Sequence, residues 1–195
     1  MKLGDIVSIG SGRTFRTAVK EDVSSPYKVL QLSNVDYEGF PTGIDWEGLL
    51  NVEIKGAKGV ATLQSGQIIL VAKGSKKPAI YLDDISDSVI ATQHFLIINA
   101  KPNVEVDTRF IWAYINSEYA QQWMISNSGG SYQSSLSIKV LSELPVPKIS
   151  LERQQMIVDC YLAVQRELEL YSALTKSRTN ELNNVFSELT KEQSL

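Results

Sequence analysis

Between Pro147 and Leu195 the chain contains neither proline nor glycine, although it holds 6 prolines and 12 glycines in all. Every residue that readily stops a helix therefore lies in the first three quarters, and the last quarter can run as one uninterrupted helix. Cysteine is nearly absent as well. The single thiol, Cys160, excludes an internal disulfide framework and suits a reducing compartment. The single histidine, His94, has no second imidazole or nearby cysteine to join it in a metal site, and it falls inside a predicted strand. No apolar run is long enough to span a bilayer, GQIILVAKG being far too short, and the opening MKLGDIVSIGSG lacks the apolar core of a signal peptide. A cytoplasmic protein with no membrane contact is expected. A strong charge of one sign is missing too: 19 basic against 22 acidic residues leave −3. This argues against non-specific coating of nucleic acid, which rests on phosphate neutralisation.

The usual motifs of catalysis are also lacking. There is no H-E-x-x-H, no pair of C-x-x-C, no Walker loop and no G-x-G-x-x-G after a strand. KGSKK has the composition of a phosphate loop without its spacing, and the serines near residue 131 have no nucleophile elbow or base partner. The chain reads as non-enzymatic, with no cofactor or metal of its own.

What is present divides in two. Residues 1–149 read as an α+β body with a mixed or antiparallel sheet. YKVLQLSNV (27–35) alternates like a half-buried strand. GVATLQSGQIILVAKG (59–74) places a turn at Ser65 and Gly66 before a continuous apolar run, the mark of a strand buried on both faces. KPAIYL (77–82) and VIATQHFLIIN (89–99) give two further strands, with short separations that predict antiparallel neighbours. In residues 106–127 the period changes to that of a single amphipathic helix, N-capped by Asp107 and ended by Asn127 or Gly129. A Gly/Ser loop, a short element and a proline-bounded strand close the body.

Residues 150–195 form one long helix with a heptad seam of Ile157, Tyr161, Val164, Leu168, Tyr171, Thr175, Arg178, Leu182, Val185 and Leu189. Ser150 caps it and Glu152 suits the positive first turn. Pairing with a second helix buries such a stripe; so does lying along the chain's own body.

Three stretches, in order along essentially the whole chain, resemble the specificity (DNA-recognition) subunit of type I restriction–modification systems. They are KLGDIVSIGSGRTF, then LQSGQIILVAKGSKKPAIYL with ATQHFLIIN behind it, and GGSYQSSLSIKVLSELPVPKISLERQQMIV. The resemblance implies a target-recognition domain ended by the proline pair and a long spacer helix after it. Full-length members carry two of each, so this sequence looks like a half-size form. It implies double-stranded DNA as ligand. It also implies modification (methyltransferase) and restriction subunits as partners, which supply catalysis and S-adenosylmethionine.

Polar loops supply candidate readers. Ser11, Arg13, Thr14 and Arg16 form one cluster, in which arginine can grip guanine with a bidentate pair. Lys73, Ser75, Lys76 and Lys77 form a second, better suited to phosphate. Tyr132, Gln133 and Ser134 form a third, in which glutamine can read adenine. The seam residues Ile157, Tyr161, Val164, Leu168, Tyr171, Leu182, Val185 and Leu189 predict pairing with a second copy, and the resemblance, through the two opposed helices of full-length members, implies an antiparallel homodimer. A coiled-coil adaptor that binds protein, or a decoy subunit without base readout, is the alternative. Basic loops gathered on one face favour DNA; scattered loops favour the adaptor.

Overall fold

The computed structural model describes residues 1–15, 19–37, 43–54, 61–74, 76–128 and 135–192. Its centre is the run IILV, strand β6 (Ile68–Val71), in which every side chain is buried. Alternation explains how four consecutive apolar residues are all covered. Ile68 and Leu70 face one apolar cluster with Leu3, Ile6, Phe110 and Ile111, while Ile69 and Val71 face another with Leu30, Leu63, Leu82 and Phe95. Each such Leu or Ile contributes about 1.5–3 kcal/mol on burial.

β6 lies inside a four-stranded antiparallel sheet ordered β1–β9–β6–β7, built from β1 (Val7–Ser11), β7 (Ala79–Tyr81) and β9 (Phe95–Ala100). A second sheet covers its outer face and consists of β2 (Tyr27–Leu30), β5 (Leu50–Asn51) and β8 (Ser88–Ala91). Here β2 pairs antiparallel with β5 and parallel with β8, so the body holds mixed pairing, within the expected mixed or antiparallel sheet. β3 (Val35–Asp36) and β4 (Gly43–Ile44) form a small separate ladder. The expected strand over 27–35 is thus β2, then a 3-10 turn at Leu32–Asn34, then β3.

Two longer readings are cut by polar residues. The run 89–99 is not one strand but β8 and β9 in different sheets, joined by a turn at Thr92, Gln93 and His94 in which Phe95 N–H donates to Thr92 O at 3.0 Å. His94 therefore sits in a turn and not inside a strand. The expected single helix over 106–127 is α2 (Thr108–Ile115) and α3 (Glu118–Asn127), following α1 (Leu3–Ile6) in chain order. Asp107 caps α2 by accepting from Arg109 N–H at 2.8 Å. Asn116 ends it: its amide bonds both the N–H and the C=O of Ala79, and Ser117 then caps α3. The proline-bounded strand near the end of the body is only an isolated bridge, Lys2 to Pro145, after α4 (Ile138–Ser142). That bridge ties the start of the chain to the segment entering the long helix, with Leu3 N–H donating to Leu144 O and Val146 N–H to Met1 O, both at 2.8 Å.

α5 (Leu151–Glu192) spans 42 residues, about 63 Å at 1.5 Å per residue. Ser150 Oγ accepts from Arg153 N–H at 3.4 Å. The helix does not leave the body at once. Its first turns lie along α2, where Val158 is fully buried and Gln154 is 2 % exposed. Gln154 Oε1 accepts from Asp107 N–H at 2.9 Å, and Tyr161 meets Trp112 edge to face with ring centroids 4.9 Å apart. Burial raises the Tyr161 pKa. From residue 171 to 189 every side chain of the helix is exposed.

Candidate nucleic-acid interface

Strand directions decide where the polar segments fall. β1, β6 and β8 end, and β7 and β9 begin, at the same edge of the body, because Ser11 pairs with Leu96, Leu70 with Ala79, and Val71 with Phe95. Residues 11–15, 72–74, 76, 77 and 92–94 are therefore brought to one end. Direct bonds lock them together. Gly12 N–H donates to Phe95 O at 3.0 Å, Arg13 N–H to Ala91 O at 2.8 Å, and Gln93 N–H to Arg13 O at 2.9 Å. Ala72 joins the group, its N–H donating to His94 O and its C=O accepting from Leu136 N–H, both at 2.8 Å.

Two of the expected clusters are thus neighbours, although about sixty residues separate them in sequence. Ser11, Thr14, Lys73 and Lys76 are exposed at this end and Arg13 is half-buried. Arg16, Ser75, Tyr132, Gln133 and Ser134 lie outside the described residues. The acidic group goes elsewhere. Asp83, Asp84 and Asp87 follow the far end of β7, and Asp87 is taken up by Lys28 Nζ at 2.6 Å. Lys73 and Lys76 are thus separated by the length of β7 from Asp83, Asp84 and Asp87.

Lys77 departs from its expected part in phosphate binding. It is 2 % exposed, with Nζ donating to Gly74 O at 3.0 Å and to Ala72 O at 3.4 Å. Burial lowers its pKa from the ordinary lysine value. Gly74, at φ 102°, supplies the left-handed turn that folds the loop back over this ammonium. Lys77 is a strut inside the loop that presents Lys73 and Lys76. Replacing Lys77 by Ala is expected to cost about 1–3 kcal/mol of stability by stranding loop carbonyls, read as a lower urea midpoint. Lys76→Ala should change stability by no more than about 0.5 kcal/mol.

Sequence reading placed no reader at Thr92 or Gln93, and it set His94 inside a strand and outside any site. The available signal was three polar residues in an otherwise apolar run. Burial, and then the charge of Lys73, hold the His94 pKa below the usual histidine range, so the imidazole is neutral at neutral pH. Among the described residues no group of three His, Cys, Asp or Glu side chains could hold a metal ion. Nor is any described helix long and apolar enough to cross a membrane.

The body thus carries polar loops converged at one sheet end and a long helix whose first turns dock against α2. The sequence matches the type I restriction modification DNA specificity domain over residues 1–184, and the chain belongs to that family. Among solved structures it is similar to the type I restriction–modification S subunit from M. genitalium, at 15% identity and TM-score 0.56, over 89% of this chain and 40% of that one. It also resembles the HsdS subunit from Thermoanaerobacter tengcongensis, at 12% identity and TM-score 0.54, over 91% and 39%. A third likeness is to a chain from work on complex assembly and conformational transition of the type I R-M system, at 12% identity and TM-score 0.60, over 93% and 42%. The chain thus spans about two fifths of the length of the solved chains it matches. No curated protein matched the sequence.

Proposed function

We propose that this chain is the DNA-recognition unit of a type I restriction–modification complex, binding duplex DNA with the loop-bearing end of its body. The observation that carries this reading is the gathering of Ser11, Arg13, Thr14, Lys73 and Lys76 at one edge, away from Asp83, Asp84 and Asp87. Phosphate contacts position a protein on the duplex, and base contacts confer sequence. Lys73 and Lys76 suit the first task and Arg13 the second. The chain holds no cofactor and performs no catalysis. Methyltransferase subunits supply methyl transfer from S-adenosylmethionine, and a restriction subunit supplies cleavage. The whole assembly acts in the cytoplasm.

The exposed seam of α5 pairs with a second copy in antiparallel sense, placing a recognition body at each end and a palindromic, bipartite target between them. Arg178 already holds a partner within its own chain, Glu181, at 2.9 Å, so it can sit near the seam without an unpaired charge.

Footprinting of the reconstituted complex tests the DNA reading, with Arg13 as its discriminating residue. Arg13→Ala is expected to lose about 1–3 kcal/mol of discrimination at one base pair if its guanidinium grips guanine. Lys76→Ala should instead weaken all sequences alike and reduce the salt slope by about 1. Unchanged methylation specificity in the Arg13 variant would remove that residue from readout. A complex that protects no DNA would overturn the function itself.

A further inference from the structure

The turn between β8 and β9 occupies the middle of the loop-bearing end, with a basic segment bonded on each side. Gln93 N–H donates to Arg13 O at 2.9 Å and His94 O accepts from Ala72 N–H at 2.8 Å, while Thr92 N–H donates to Leu30 O at 3.0 Å. Main-chain bonds from β2 and from the segments that follow β1 and β6 thus fix the turn. Its side chains are much less committed. Gln93 is exposed. Thr92 Oγ1 and His94 Nδ1 are both buried, and neither has a hydrogen-bond partner. Buried polar atoms are nearly always satisfied, and leaving one unmade costs free energy. Two such atoms flank one exposed carboxamide on a single turn.

We infer that this turn is a base-reading element and that Gln93 is its specificity-determining residue, recognising an adenine edge in the major groove. A carboxamide presents one acceptor and two donors, which match the N6 amino group and N7 of adenine as a bidentate pair. The His94 ring and the Thr92 hydroxyl add no charge to the turn, which suits a contact to a base edge better than neutralisation of phosphate. Lys73 and Lys76 stand on one side to hold the backbone, and Arg13 on the other offers a second base contact. A turn locked by those main-chain bonds delivers the carboxamide with little ordering left to do on binding.

The inference rests on the DNA-recognition reading, and one experiment separates their failures. The reconstituted complex, carrying the full chain, selects from a pool of duplexes with a randomised central segment, in parallel for wild type, Gln93→Ala and Gln93→Glu. Wild type is expected to enrich a motif. Gln93→Ala should lose roughly 5- to 150-fold of preference at one A·T position and keep the other positions. Gln93→Glu should move that position toward C, because a carboxylate accepts from the cytosine amino group. A Gln93→Ala motif identical to wild type overturns the inference, as does a uniform loss at all positions, which would mark a phosphate contact. A wild-type chain that enriches no motif overturns the DNA reading and this inference with it.

Discussion

A chain carrying both Leu182→Asp and Val185→Asp is expected to sediment as a monomer at micromolar concentration, and the unaltered chain as the proposed dimer. Leu182 is 54 % exposed and Val185 48 % exposed, on the part of α5 that the body does not touch. Each contributes about 1.5–3 kcal/mol when buried. A two-fold pair buries both side chains twice, so the lower bound is about 6 kcal/mol, on the order of 10⁴-fold in Kd. The melting transition of the body should not move, since neither residue belongs to its core clusters. Leu168 is a poorer choice for this test. It is already half-buried in the single chain, so an aspartate there would cost burial as well as pairing. A wild-type monomer at the same concentration would sink the dimer.

The second large effect is expected at Gly12. A Cβ at this position would lie 2.1 Å from Thr92 O and 2.6 Å from Ala91 O, both backbone atoms that cannot swing aside. Its φ is not in the left-handed region, so close approach and not conformation demands glycine here. Gly12→Ala must push the end of β1 away from the β8–β9 turn, breaking the bonds from Gly12 and Arg13 to Phe95 and Ala91. A loss of about 1–3 kcal/mol or more is expected from the forced backbone shift, with relaxed DNA specificity because Arg13 moves with it. Gly10 is the control. Nothing lies within 4 Å of a Cβ there, and Gly10→Ala should leave both stability and specificity near wild type. Equal urea midpoints for the two variants would refute the argument.

Legibility in the sequence followed period and composition. The β6 run, the turn at Gly66 (φ 84°), the Asp107 cap and the unbroken helix after residue 150 were readable because each has a local cause. The breaks at Asn116 and at Thr92 to His94 were not. Both use polar residues other than glycine or proline, and both are set by distant partners: Ala79 for the first, Arg13 and Ala72 for the second. The same cause misplaced Lys77. A lysine in a run of lysines reads as solvent-facing, and only the fold shows the two carbonyls that draw its ammonium inward. Residues of the candidate interface were recognised by type, but their meeting at one edge is a consequence of strand pairing, which no short window of sequence contains.

The attachment of α5 is short relative to its length. Gln154, Val158 and Tyr161 fix it against Asp107 and Trp112 within about two helical turns, so the helix follows α2 from its start toward the loop-bearing end. Beyond Tyr161 about 47 Å of helix extends to Glu192. Such an element is a lever arm with its fulcrum at the Trp112–Tyr161 contact. A pivot of about 10° there displaces the tip by about 8 Å, more than two base-pair steps of about 3.4 Å. Angular stiffness in a small aromatic and amide contact thereby governs positional accuracy far away from it. Loosening that fulcrum would blur the distance between the two ends of an assembly without altering any residue at either end.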